Sequence, residues 1–372
     1  MPERLSLPGR RAAQGFSLVE VMIGMIIGLL GILVMFQMLL NWNERKRTAA
    51  SGSDAQISGS IALYSLEREL RNAGYGFGNA GAMGCTVTAY DRLRPGNNFT
   101  FPLVPVQITD GAGGSPDTIT VLFGNSALTS DSTTYSASSA TTKRLNDPSS
   151  IQRGDLLVAA QAGACGLVET TLNTHADGLT ITHASGNYND PDNTAVTARY
   201  NPAAGLAVAL SAGNIFNLGP QPRRNVWRIV NDRTLVSTDD LHYSDQHDAA
   251  GQNTPDGMND WTEVADGIID LQAEYGLDSD ADNIVDTWQS AAPADFRTVR
   301  AIRVALLARS QQYEKQAVTT VAPSWAAGAF VMTNLDGTPD SNPGTPNDWR
   351  RYRYRVYETV VPLRNAVWGN SP

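Results

Sequence analysis

A lone carboxylate, Glu20, sits near the start of the apolar run GFSLVEVMIGMIIGLLGILVMFQMLL at residues 15–40. No other charged residue occurs until Glu44. A carboxylate held at the centre of a bilayer costs about 2.5–3.5 kcal/mol, and less toward a membrane face. A second group of acids lies in DSDADNIVD, where Asp278, Asp280, Asp282 and Asp286, with the Ile284 carbonyl, alternate as the oxygen ligands of a calcium loop do. Asn283 stands where such a loop turns on glycine, and Gln289 where it ends on a bidentate glutamate, so this is no EF-hand proper. A solvated acidic turn is the other reading. The two cysteines, Cys85 and Cys165, are either a disulfide, the default in an oxidising compartment, or two buried thiols.

The elements that must position these groups follow from pattern. The uncharged run Val21–Asn43 would span roughly 34 Å as a helix, enough to cross a hydrocarbon core of about 30 Å. A cleaved secretory signal has an apolar stretch of only about 7–15 residues, so this one is read as a retained anchor. The flanks barely orient it: Arg4, Arg10 and Arg11 with Glu3 precede it, and Glu44, Arg45, Lys46 and Arg47 follow. No proline occurs between Pro8 and Pro95. Ile57, Ile61, Tyr64, Leu66 and Leu70 keep helical spacing, and Gly74 offers a stop. One helix is therefore expected from about Phe16 to Asn72, lipid-embedded first and packed on a soluble head second. Gly24, Gly28 and Gly31 would let another helix approach closely, or reflect the ordinary frequency of glycine in membrane helices.

The 372-residue chain is 42% hydrophobic with a net charge of −9, which excludes broad electrostatic binding of nucleic acid. Its four histidines are scattered, and no nucleophile–base, P-loop or dinucleotide pattern occurs, so no enzymatic activity is expected. Strands are expected at 118–124, 155–160, 166–171, 178–183 and 300–310, with a hairpin turning near Asn231–Asp232. Residues 125–150, rich in Ser and Thr, read as an irregular insertion. Residues 261–278 read as helix passing into strand. In 349–365, Tyr352, Tyr354 and Val356 alternate with Arg351, Arg353 and Arg355, whose face is either solvated or partner-binding.

Gly15 followed by FSLVE and a long apolar helix resembles the type IV prepilin class III signal. LQAEYGLD, IRVALLARS and YETVVPLRN resemble the PilW-type minor pilins. The likeness covers residues 15–75 and about 260–365; the middle carries none. It implies cleavage by a prepilin peptidase between Gly15 and Phe16, N-methylation of Phe16, and a leader left inside with the head outside. The new Phe16 ammonium of one subunit would then pair with Glu20 of its neighbour; an interfacial glutamate capping a plain signal anchor is the alternative. The implied fold is α+β, a long helix packed on an antiparallel sheet. The expected organisation is a leader (1–15), the helix (16–72, spanning lipid at about 18–40), a β-rich head (73–255) and a C-terminal PilW-like region (256–372) holding the acidic loop, with structural Ca²⁺. The expected role is pilus assembly, in an initiating or tip complex with other minor and major pilins. The protein would be single-pass in the inner membrane with a periplasmic head, then pilus-borne. The alternatives are a pseudopilin of a type II secretion system and a signal-anchored periplasmic binding protein or enzyme.

Overall fold

The computed structural model describes residues 15, 17–77, 82–126, 132–172, 177–242, 261–334 and 348–365, without the side chains of 41, 43–45 and 47–51. Phe16 and the expected leader lie outside the described residues. The chain divides into two compact units, residues 1–52 and 53–372. An N-terminal helix runs Leu18–Asn72. It ends where expected: Gly74 takes φ +80°, a left-handed conformation that glycine adopts without a Cβ clash.

In the first unit, Leu18–Leu40 is apolar and long enough to cross a membrane, and every side chain along it is exposed. In the second unit the same helix is one-sided. Ala62, Leu66, Leu70 and Ala73 are buried, whereas Ile57, Ile61 and Tyr64 are exposed. The expectation that Ile57, Ile61 and Tyr64 pack on the head with Leu66 and Leu70 is corrected: 62, 66, 70 and 73 follow the i, i+4, i+8, i+11 stripe, and 57, 61 and 64 lie on another.

Two sheets cover the buried stripe. One has five antiparallel strands in the order Thr262–Asp266, Thr234–Asp239, Arg223–Val230, Thr118–Phe123, Val106–Thr109. The other has four: Thr287–Gln289, Ile268–Leu277, Val299–Arg309, Tyr354–Pro362. Their inward side chains, among them Ile119, Trp227, Leu235, Leu271, Val304, Leu306 and Val361, form one core with the helix. Tyr275 links the sheets by accepting the Ile108 N–H at 2.5 Å. Glu69 on the helix accepts from Trp227 Nε1 and Asn225 Nδ2, both at 2.7 Å. The pairing of Thr234–Asp239 with Thr262–Asp266 carries one sheet across residue 255.

Val299–Arg309 is buried on both sides, since Ala305 and Leu307 meet Phe330 away from the helix. That explains its nearly unbroken apolar run. The expected helix at the start of 261–278 is corrected to two strands. Glu263 pairs with Val236, and the chain bends at Gly267, φ +81°. The C-terminal strand begins only at Tyr354, after a 3-10 turn at Trp349–Arg351.

An eight-stranded sheet occupies the middle of the chain, with a parallel pair where Thr86–Tyr90 meets Ala164–Glu169. It includes Thr133–Ser138 and Thr142–Leu145, so the irregular insertion expected at 125–150 is corrected. Tyr135 and Leu145 point inward there, and β-branched threonines suit the pleated surface. The hairpin at Asn231–Asp232 is as expected, both residues having positive φ.

Candidate functional site

The chemistry at the start of the helix is local. Ser17 is the N-cap: its Oγ accepts the Val19 N–H at 3.3 Å, and its carbonyl accepts the Glu20 N–H at 3.0 Å. The Glu20 carboxylate turns back to accept the Ser17 N–H at 3.4 Å. The S-x-x-E spacing is that of a capping box, with the serine hydroxyl here taking the Val19 N–H instead of that of Glu20, so that two N-terminal donors are satisfied. The S-x-x-E spacing was there to be read in the sequence. Gly15 and Glu20 are both exposed. Among the described residues no ion pair reaches Glu20; the Ser17 N–H and the helix dipole meet its charge there.

Along the same span a Cβ on Gly24, Gly28 or Gly31 would meet nothing within 4 Å. Packing inside the chain therefore does not require glycine there. The i, i+4 spacing of Gly24 and Gly28 is that of a helix–helix contact in lipid. Gly59, where the same helix packs on the sheets, is the opposite case. A Cβ there would run into the Tyr357 ring, whose Oη donates to the Gln56 carbonyl at 3.0 Å. Sequence reasoning missed this seat because its partner lies about 300 residues away.

Cys85 and Cys165 are bonded, with Cα atoms 6.0 Å apart. The bridge joins the segment after the helix to a strand of the eight-stranded sheet, at the parallel pair that places Val87 opposite Cys165.

The acidic loop gathers three of its expected ligands. One carboxylate oxygen each from Asp278, Asp280 and Asp286 lies within 4.8 Å of the others. Asp282 is not part of that group and accepts the Ile284 N–H at 2.7 Å. Asp278 is buried; it accepts from the N–H groups of Ala281 at 2.7 Å and Asn283 at 3.0 Å and from Arg300 Nε at 2.8 Å. Desolvation pushes this carboxyl up, but the hydrogen bonds from Arg300, Asn283 and Ala281 outweigh it and hold it below its ordinary range. Asp286 accepts from Ser279 N at 2.7 Å and Oγ at 2.6 Å, which lowers it too. Asn283 takes φ +68°, the conformation a glycine would supply at the turn. The oxygen donors suit a hard cation, and Arg300 already provides one positive charge beside Asp278.

The arginines of the C-terminal segment are engaged within the chain. Arg353 Nε pairs with Glu314 at 3.1 Å, Arg351 donates to Tyr313 Oη and the Lys315 carbonyl at 2.6 Å, and Arg355 lies over the Tyr357 ring.

Two families match the chain. Type IV Pilus-assembly protein W matches residues 237–365, and the prokaryotic N-terminal methylation motif matches residues 10–36. No curated protein matches at a significant level. A type IV-like pilin from Thermus thermophilus aligns over 82% of this chain and 94% of its own, at 11% identity and a TM-score of 0.30, too loose a superposition to argue from. The first family match takes in the four-stranded sheet that covers the helix, and the second takes in Ser17, Glu20 and the paired glycines. With an apolar span long enough to cross a membrane and a helix-backed sheet to follow, the two matches support a PilW-type minor pilin of type IV pilus assembly.

Proposed function

We propose that the chain is cut between Gly15 and Phe16, methylated at Phe16, and enters an initiating or tip complex with other minor and major pilins, its head periplasmic beforehand and pilus-borne afterwards. The observation that carries this reading is Glu20, a lone acid in the first turn of an otherwise apolar, exposed span. In lipid its charge is costly, and a neighbour's new terminal ammonium would offset that cost only inside a helix bundle. Gly24 and Gly28 suit such a bundle, as does the exposed stripe Ile57, Ile61 and Tyr64. The protein acts as an assembly subunit and not as a catalyst.

Mass spectrometry of the N-terminus of membrane-purified protein is the direct test. A methylated Phe16 terminus is expected; an intact leader on functioning protein rejects the reading. Glu20→Ala should then be processed normally but fail to enter pili. Co-purification with pilus components, rather than with a secretion machine, separates the role from that of a pseudopilin.

A structural Ca²⁺ at Asp278, Asp280 and Asp286 is a second proposal, favoured by the convergence of the three carboxylates. Titration calorimetry of chelator-treated full chain should show calcium-dependent heat that Asp280→Asn removes. Absence of heat in the parent protein rejects it.

A further inference from the structure

At one end of the eight-stranded sheet, Lys143 occupies a core position. In Thr142–Leu145 the burial alternates, and Lys143 and Leu145 are the inward pair. Lys143 is only 3% exposed. Its Nζ donates to Ser138 Oγ at 2.8 Å and lies 5.0 Å from the centre of the Tyr135 ring. No carboxylate among the described residues pairs with it. His183, 5% exposed, lies beside it, and its Nε2 has no hydrogen-bond partner among the described residues; nor does the buried Tyr135 Oη. Buried ammonium groups are nearly always paired, and buried polar atoms are nearly always hydrogen-bonded. Three exceptions in one place are unusual.

Lys143 and His183 line a cavity of about 310 Å³ under the segment Leu206–Ser211. Leu206, Val208 and Leu210 form an apolar wall, and Ser139, Ala140 and Ser211 are exposed at its mouth. The volume is at the lower end of small-ligand sites, and a few polar groups converging in an apolar hollow are their usual make-up.

We propose that this cavity binds a small organic monocarboxylate, with the Lys143 ammonium holding the carboxylate and the Leu206, Val208 and Leu210 wall enclosing the carbon body. His183 Nε2 and the Ser138 hydroxyl complete the polar contacts. Burial and the neighbouring Lys143 lower His183 to about 4, so the ring is neutral at physiological pH. Burial lowers Lys143 only to about 8, so it stays cationic. The pocket thus presents one positive charge, which matches a monoanion and leaves a phosphate dianion undercompensated. This binding is independent of the assembly reading.

The test is thermal unfolding of the full chain in detergent with sodium acetate, butyrate or lactate, against sodium chloride, phosphate and butanol at equal concentration. At about 10 mM, butyrate or lactate should raise the midpoint by about 2 °C, whereas chloride, phosphate and butanol should not. Lys143→Met should fold with a midpoint at or above that of the parent, because an unpaired ammonium leaves the interior, and should lose the response. Val208→Trp should lose the response with the charge intact. The proposal is overturned if no carboxylate shifts the parent, if phosphate shifts it as much, if Lys143→Met responds like the parent, or if that variant melts well below it.

Discussion

The four-stranded sheet behind the helix and the eight-stranded sheet of the mid-chain are held together by different physics. In the first, the stretch Val304–Ala308 of the central strand is buried on both faces, and its neighbours close over it with Val, Leu and Ala. In the second, polar groups sit in the interior, and away from the Lys143 cavity many are met by specific partners. Asp91, fully buried, takes both Nε and a terminal nitrogen of Arg199 at 2.8 Å. Glu169 accepts Arg199 N at 2.6 Å, Tyr200 N at 3.0 Å and Tyr188 Oη at 2.8 Å, while Asn201 Nδ2 donates to its carbonyl at 2.7 Å. Asp155 accepts from Asn217 Nδ2 at 2.8 Å. Apolar packing tolerates any shape of about the right volume, whereas a buried polar staple is stable only in one register. The helix-backing sheet therefore carries the architecture, and the mid-chain sheet carries what is particular to this chain.

Four substitutions would sharpen or break that contrast. Leu306→Ala, in the apolar sheet, should cost the most, about 4 kcal/mol by denaturant unfolding, because it opens a cavity in the core that the helix shares. A cost under about 1 kcal/mol would show that the sheet is not packed as described. Asp91→Ala should cost about 3 kcal/mol by taking the carboxylate from Arg199, with protease sensitivity rising around residues 184–201 and not in the C-terminal sheet. Uniform sensitivity would erase the distinction between the two regions. Gly59→Leu should cost about 2 kcal/mol, because Tyr357 must swing away and give up Gln56; a neutral result would mean that the helix is not seated there.

The smallest effect is a pH dependence inside the apolar sheet. Burial raises Asp270 and nearby Asp117 each to about 6, so the folded state holds these protons more tightly than the unfolded chain. Stability they contribute is full below the ordinary carboxylate range and is lost as pH rises through about 6. Asp270→Asn should therefore match the parent near about pH 4 and exceed it by about 1 kcal/mol near about pH 7.5. Parallel stability curves for the two proteins would reject this.

The same contrast sets what could be read from sequence. The helix and its end at Gly74, the Asn231–Asp232 turn and the strand Val299–Arg309 were legible because each rests on a local pattern: length, a left-handed turn residue, an apolar run. The strands at 133–145 were not, because serine and threonine dilute their alternation and their partners at 180–182 and 213–219 are far along the chain. The face of the helix was misread because Ile57, Ile61 and Tyr64 are the larger side chains, whereas small residues let the backbone approach Tyr357. At the candidate site Glu20 stood out by its charge; its bond to Ser17 was legible too, but only as a spacing of three. The alternation of acids marked a cluster at 278–286, but not that Asp282 stands outside it or that Arg300 pairs with Asp278.

The seat of Tyr357 against Gly59 has a temporal side. Ribosomes deliver the helix first and the strand Tyr354–Pro362 about 300 residues later, which at typical elongation rates of about 5–20 residues per second is a wait of some tens of seconds. Throughout that interval the stripe Ala62–Leu66–Leu70 lacks one of the strands that enclose it. A chain still in synthesis therefore keeps an apolar seam open, and closes it only once Tyr354–Pro362 has been made.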